Sequence, residues 1–304
     1  MVDLNIKLLE TFLQEEEREG YLVSSKMKEL WAVQLDLLCE FDRVCKKYGI
    51  KYVLDFGTLL GAIRHKGYIP WDDDLDVSML REDYDKLMEV GPKEFKRPYF
   101  LQGYLTEKNY DRPVSKLVRT DTTYLQGTDL RREPDYIRGI FIDIFVFDNM
   151  PAIDNDTIKA MVHYTDDVYY RIILMTHFPT KVDGIKMPAK LLRYWYYRLR
   201  YGSAREEYRR LDQKAKSYPL TGYVGTVTYV YPHYRPLSVY DEIIEVPFEH
   251  LMMPVPAGYD EVLRLRYGDY MTPVHGGGWH TMAYFDTDRP YKAVLRNGIV
   301  EEKE

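Results

Sequence analysis

The stretch Tyr52–Met79, "YVLDFGTLLGAIRHKGYIPWDDDLDVSM", decides how this chain is read, because it sets four aspartates within five positions, Asp72 to Asp76. They follow a Gly57-Thr58 turn and run straight into apolar Val77. Carboxylates at this spacing repel, and burying one costs several kcal/mol unless a cation or hydrogen bonds compensate, so a positive partner is expected here. Alternation makes "DLDVSML" a strand with Asp74, Asp76 and Ser78 on one face, the Asp74 and Asp76 Cβ atoms roughly 7 Å apart. Such a pair can share divalent cations, and magnesium takes hard oxygen ligands and completes its shell with water and substrate phosphates. Two ions ~4 Å apart would polarise the attacking and leaving oxygens of a phosphoryl transfer.

Working outward, "IKYVLDF" reads as a strand and "TLLGAIRHK" as a short helix entered through Gly57-Thr58, whose amides are suited to hold a phosphate. Upstream, Met27, Leu30, Leu37, Leu38, Phe41 and Val44 keep a helical period, with Ser25 as N-cap and Gly49 as the stop. Downstream, "REDYDKLMEV" is helical, and "RPYFLQG", "PVSKLVRT" and "GIFIDIFVFD" read as strands. The last is a nearly continuous apolar run holding the lone charge Asp143, which must find a cation or become neutral. Set beside the acidic strand, Asp143 would join Asp74 and Asp76. A Gly-hydroxyl turn, a D-h-D strand and a third Asp on a later apolar strand form the pattern of a nucleotidyltransferase-type palm.

Four segments are expected: an N-terminal helical arm (1–24), a catalytic core (25–155), a helical lobe (156–218) and a C-terminal segment (219–304) that packs on the core and completes the substrate site. The fold class is α/β, a palm with a mixed central sheet and an added helical lobe. The 304 residues are 45% hydrophobic and 14% aromatic, enough for one large domain or a core with a lobe. Net charge of -6 disfavours a general nucleic-acid binder. No apolar run reaches the ~20 residues of a bilayer span, and the acidic start does not suit a signal peptide, so a cytoplasmic protein is expected. Cys39 and Cys45, six apart on one helix, point in different directions and read as reduced packing residues.

Other signals weigh less. Asp72, Asp74 and Asp76 match the first, third and fifth positions of an EF-hand loop, but Val77 replaces the required Gly and Asp83 the Glu. Arg64, His65 and Lys66 lie between the phosphate turn and the acidic strand, where cations would hold a diphosphate or pair with nearby acids. Lys116 and Arg119 are donor-contact candidates on the same grounds, while Arg131-Arg132 read as a solvated loop. "LLRYWYYRLRYGSAREEYRRLDQK" is either an interfacial helix or core with snorkelling cations, and the core reading is favoured. "HGGGWH" has no G-x-S-x-G partner, and His275 and His280 lack zinc-ligand spacing, which leaves a substrate-side loop.

"GTLLGAIRHKGYIPWDDDLDV" resembles the signature of the LicD family of phosphotransferases, which includes the fukutin-related proteins. "FDRVCKKYGIKYVLD", "REDYDKL", "GIFIDIFVFDNMP" and "LRYGDYM" support it, so the similarity spans about Leu30 to Pro273. Val146 stands where the family would have proline in "IDIFPLD", a change in strand geometry rather than chemistry. The resemblance implies transfer of a phosphorylated alcohol, such as phosphocholine or ribitol phosphate, from a CDP-activated donor to a sugar hydroxyl of a surface glycan or lipid-linked glycan. It implies metal ligation by Asp74 and Asp76, makes Asp72 a candidate ligand or base, and casts Asp143 as the third palm carboxylate and metal ligand. The cofactor would be magnesium or manganese, as two ions, and any membrane contact would be peripheral, at the inner face. The rival readings are a nucleotidyltransferase that installs NMP on a small molecule or protein, and a non-catalytic glycan-assembly subunit. A choline head group would want an aromatic cage, but 29 tyrosines offer too many candidates to choose among.

Overall fold

A computed structural model describes residues 1–126, 136–179, 181–229, 231–274 and 283–297, with the backbone alone at 181–183 and 296–297. Along the chain run β1 (Glu16–Arg18), β2 (Tyr21–Val23), α1 (Ser25–Tyr48), β3 (Val53–Leu54), α2 (Phe56–His65), β4 (Asp76–Leu80), α3 (Arg81–Glu94), β5 (Tyr99–Gln102), β6 (Ser115–Arg119), β7 (Thr123–Leu125) and β8 (Phe141–Asn149). There follow α4 (Asn155–Thr176), α5 (Met187–Tyr201), α6 (Ala204–Lys216), β9 (Tyr223–Gly225), β10 (Tyr234–Pro236), β11 (Ile243–Phe248), β12 (Leu251–Pro256), α7 (Tyr259–Tyr267), β13 (Tyr284–Asp286) and α8 (Tyr291–Asn297). The class is α/β with a mixed sheet, as the sequence implies. Contacts divide the chain into one unit of residues 1–101, 116–144 and 239–304 and another of 102–115 and 145–238.

In the first unit α1 is the core element. Ser24 accepts from the Met27 amide to start it, and Gly49, left-handed at φ 61°, ends it. Its apolar stripe is buried, from Leu30 and Trp31 to Phe41 and Val44. β3 pairs antiparallel with β4, Val53 opposite Ser78 and Leu54 opposite Val77. β4 lies next to β8, and β6 lies between β5 and β8. The strand carrying Asp143 therefore runs beside the acidic segment.

The first twenty-four residues do not form a helical arm. Glu16 to Val23 make a hairpin whose two-residue turn, Glu19-Gly20, has both φ positive (51° and 77°), as the twist of a tight hairpin demands. Glutamate is uncommon in that first position, which hides the turn from sequence patterning.

The second unit gathers α4, α5, α6, β9, β10 and the end of β8, where Asp148 faces Gly225 and Asn149 faces Val224. α6 begins with a reciprocal Ser203–Glu206 capping box and buries Tyr208 and Leu211 against Val168 and Ile172 of α4. The core reading of the aromatic-basic stretch thus holds for α6. It fails for α5, which has no buried residue. Among the described residues no helix is long and apolar enough to cross a membrane.

Candidate active site

Asp55 opens α2. Its carboxylate accepts from the Phe56 amide (2.7 Å) and its own amide donates to the Asp76 carbonyl (3.1 Å), so the helix start is tied to the first residue of β4. Phe56 sits at φ 50°, a left-handed conformation that costs a bulky residue about 1–3 kcal/mol and needs firm support. Gly57 and Thr58 lie inside the first helical turn rather than in a turn ahead of it. A Cβ on Gly57 would meet Asp72 Oδ2 at 2.8 Å, so glycine here lets a carboxylate approach the helix backbone. Thr58 Oγ1 accepts from the Asp76 amide at 2.8 Å, which fixes the acidic strand to α2.

The acidic run is a shaped loop, and β4 begins only at Asp76. Asp74 accordingly does not share a strand face with Asp76. Side chains of α1 take the carbonyls a ladder would have used: Trp31 Nε1 donates to the Asp72 carbonyl and Gln34 Nε2 to that of Asp73, both at 2.8 Å. The Tyr124 hydroxyl donates to Asp73 Oδ2 at 3.0 Å. Burial, with the charges of Asp74 and Asp73 and a hydrogen bond to Asp74, pushes the Asp72 carboxyl well above the usual carboxylate range. Asp76, 7% exposed, is pushed well up by burial and then by Asp74, Asp143, Asp72 and Asp55. The amide of Asp143 donates to the Leu75 carbonyl at 2.9 Å, which brings the β8 carboxylate next to this group.

These acids lie within electrostatic reach of one another, yet among the described residues no three His, Cys, Asp or Glu side chains form a ready metal-binding set. Asp143 Oδ1 lies 2.6 Å from Lys116 Nζ, and that ammonium sits 3.2 Å from the centroid of the Phe141 ring. The donor chemistry still fits a hard divalent cation: clustered carboxyl oxygens, two of them pushed toward protonation by burial and by their neighbours' charge.

Arg64, His65 and Lys66 close α2. Arg64 donates to the Tyr270 carbonyl (2.7 Å) and to His65 Nε2 (2.9 Å), and His65 Nδ1 lies 3.2 Å from Glu19. Burial holds the His65 imidazole below its ordinary value. Lys66 is the exposed, left-handed residue that ends the helix. Lys116 joins the acidic group through Asp143, whereas Arg119, 2% exposed, pairs with Asp36 and Asp121 and donates to the Asp3 carbonyl. Arg119 is therefore a structural cation. Arg131, Arg132, His275 and His280 lie outside the described residues.

Sequence reasoning gave no site role to Arg266 and Tyr267, although both belong to "LRYGDYM". The Tyr267 phenol is pushed up to about 12, chiefly by burial, with Asp76 and Asp55 adding to it. Arg266 donates to the Tyr267 hydroxyl at 2.9 Å and lies 4.6 Å from the centroid of the Phe56 ring. Together they bring a cation and a phenol to the rim of the acidic group.

Residues 49–189 match the family model described as LicD/FKTN/FKRP, nucleotidyltransferase domain. Over 257 residues the chain is 30% identical to the lipopolysaccharide cholinephosphotransferase LicD of Haemophilus influenzae, covering 81% of this chain and 91% of that protein. The chain belongs to the LicD family. A shorter match, 29% over 82 residues, links it to the human ribitol 5-phosphate transferase FKRP and covers 27% of this chain and 17% of that protein. The nucleotidyltransferase-type fold expected from the D-h-D pattern agrees with this membership.

Proposed function

We propose that this LicD-family chain is a metal-dependent phosphotransferase that moves a phosphorylated alcohol, phosphocholine or a close analogue, from a CDP-activated donor to a sugar hydroxyl of a surface glycan. The observation that carries this reading is the acidic group itself, in which Asp72 and Asp76 are pushed up by burial and then by neighbouring carboxylates, Asp74 first in both cases. Such a group is costly unless a cation and a polyphosphate complete it. Similarity along most of the chain to a lipopolysaccharide cholinephosphotransferase supports the choice of transferred group and acceptor.

In the proposed reaction the sugar oxygen attacks the phosphorus bearing the alcohol, the phosphoanhydride bond to CMP breaks in line, and CMP leaves with the electron pair. The hydroxyl proton passes to Asp72, since Asp143 is engaged by Lys116. Asp74 and Asp76 would hold the magnesium or manganese ion, and Asp143 would serve a second ion by exchanging its lysine. Such an ion neutralises the diphosphate charge. Thr58 and Asp55 keep Asp76 in place through its amide and carbonyl. Arg266, at the rim, is suited to a phosphate oxygen.

The test is calorimetric titration of CMP, CDP-choline, CDP-ethanolamine and CDP-ribitol into the wild type, Asp74→Ala and Asp76→Ala, with magnesium or EDTA, followed by CMP release with a glycan acceptor. Magnesium-dependent binding of one CDP-alcohol, lost in both variants, is expected, and turnover should fall by about a thousandfold or more with the fold intact. Turnover retained by either variant would remove Asp74 and Asp76 from the mechanism.

A further inference from the structure

α5 and the turn before it form a surface that nothing in the chemistry above uses. Between Gly184 and Arg205 there is no Asp or Glu, while Lys186, Lys190, Arg193, Arg198 and Arg200 supply five positive charges to a chain whose net charge is -6. The helix leans on α4 and the residues just after it through one face: Arg193 donates to the Tyr170 hydroxyl (3.3 Å), Arg198 donates to the Met175 carbonyl (3.1 Å), and Tyr194 meets Phe178 with ring centroids 5.1 Å apart. On the opposite face Leu192, Trp195, Tyr196 and Leu199 recur at helical spacing, exposed by 75%, 51%, 58% and 85%. Ile185, just before the helix, is 98% exposed and extends the stripe.

We infer that this face of α5 is a docking surface for an anionic lipid bilayer, on which the helix lies flat. Three features argue for that occupant. The apolar stripe mixes aliphatic side chains with Trp and Tyr, whose rings favour the headgroup boundary. On the helical wheel Lys186, Arg193 and Arg200 border the stripe, where ammonium and guanidinium groups reach lipid phosphates as the leucines enter the acyl region. A second copy of this chain fits less well, because a two-fold contact through the stripe would bring Lys186, Arg193 and Arg200 of one copy against the same three of the other. The site would recruit the protein to a surface; it adds no chemistry.

The experiment is co-sedimentation of the full chain with phosphatidylglycerol-containing vesicles and with pure phosphatidylcholine vesicles, alongside Trp emission. Wild type should bind the anionic vesicles, with a blue shift that the Trp195→Phe variant lacks. The triple variant Leu192→Ser/Trp195→Ser/Leu199→Ser should lose binding about tenfold or more, as should Lys186→Gln/Arg193→Gln/Arg200→Gln, and added salt should weaken the wild type. No binding by wild type, equal binding by the apolar triple variant, or equal affinity for both vesicle types overturns the inference. So does a concentration-dependent dimer in sedimentation velocity that the apolar triple variant abolishes, since it would give the face to a second copy. The apolar substitutions lie on a helix with no buried residue, and an unchanged thermal melt confirms that the loss is of binding.

Discussion

Helices α1 and α5 are built from the same ingredients, a tryptophan among apolar residues with lysines or arginines interleaved, and they end in opposite environments. Trp31 of α1 is fully buried, stacked on Tyr68 with centroids 4.5 Å apart, while Trp195 of α5 is half exposed. Lys28 of α1 is 2% exposed, its ammonium 5.3 Å from the centroid of the Trp31 ring and paired with Glu16. Beside it Arg18 forms a two-pronged pair with Glu249, at 2.6 and 2.9 Å. Buried cations demand acids. The β1–β2 hairpin and Glu249 bring them to α1, whereas the stretch around α5 contains none, so its cations stay in water and its ring stays with them. Composition already separates the two helices, since α1 carries Glu29, Asp36, Glu40 and Asp42 and α5 no acid, but the acid that pairs with Lys28 comes from elsewhere in the chain.

The largest expected effect tests the buried side of that comparison. Trp31→Ala removes a buried ring, its stack on Tyr68 and the donor to the Asp72 carbonyl, and should cost about 3–5 kcal/mol in urea unfolding. A cost below about 1 kcal/mol would mean that the core closes without Trp31 and that α1 does not shape the acidic loop.

This dependence on distant partners also explains how much could be read from the sequence. The α1 stripe, the short α2 and the strands flanking it followed from local period, whereas β8 beside the acidic segment was only a condition set by the lone charge of Asp143, which the sheet order meets. Placing Asp74 on a strand went wrong because alternation continues through the acidic run, while its backbone bonds go to Trp31 and Gln34, about forty residues upstream. Arg119 looked like a donor contact because its partner Asp36 lies 83 positions away. The Lys116–Asp143 pair was hidden in the same way: both residues were candidates, but their contact is a property of the sheet. The hairpin at 16–23 was masked by a glutamate at a positive φ.

A smaller effect with a definite sign concerns the carboxyls that α1 helps to bury. The Asp72 carboxyl is raised in the folded chain, so the folded state holds its proton more tightly than the unfolded state. The associated stability is fully present below the unfolded value near 4 and is lost as pH rises toward the folded one. Without metal, Asp72→Asn should therefore be more stable than wild type at pH 7 by about 1 kcal/mol or more, and the gap should vanish near pH 4. Thermal melts across that range in EDTA check it, and added magnesium should raise the wild type more than the variant. A variant that is less stable at neutral pH would show that the Asp72 carboxylate is already compensated within the protein.

The smallest expected effect belongs to α5. Replacing Trp195 by Ser together with Arg193 by Gln should change unfolding free energy by less than about 0.5 kcal/mol, as for exposed positions generally. The Arg193 substitution removes a surface hydrogen bond, 3.3 Å long, from its guanidinium to the Tyr170 hydroxyl, where water can take its place. Set against the cost at Trp31, that near-zero value would show one residue type held by the fold in α1 and left out of it in α5. A loss of about 2 kcal/mol or more would mean that the outer face of α5 packs within the chain, and the case for a bilayer on that face would fall with it. A neutral melt combined with weakened vesicle binding is the opposite case, in which the stripe contributes nothing to folding and its apolar exposure is stabilised only when a lipid surface covers it.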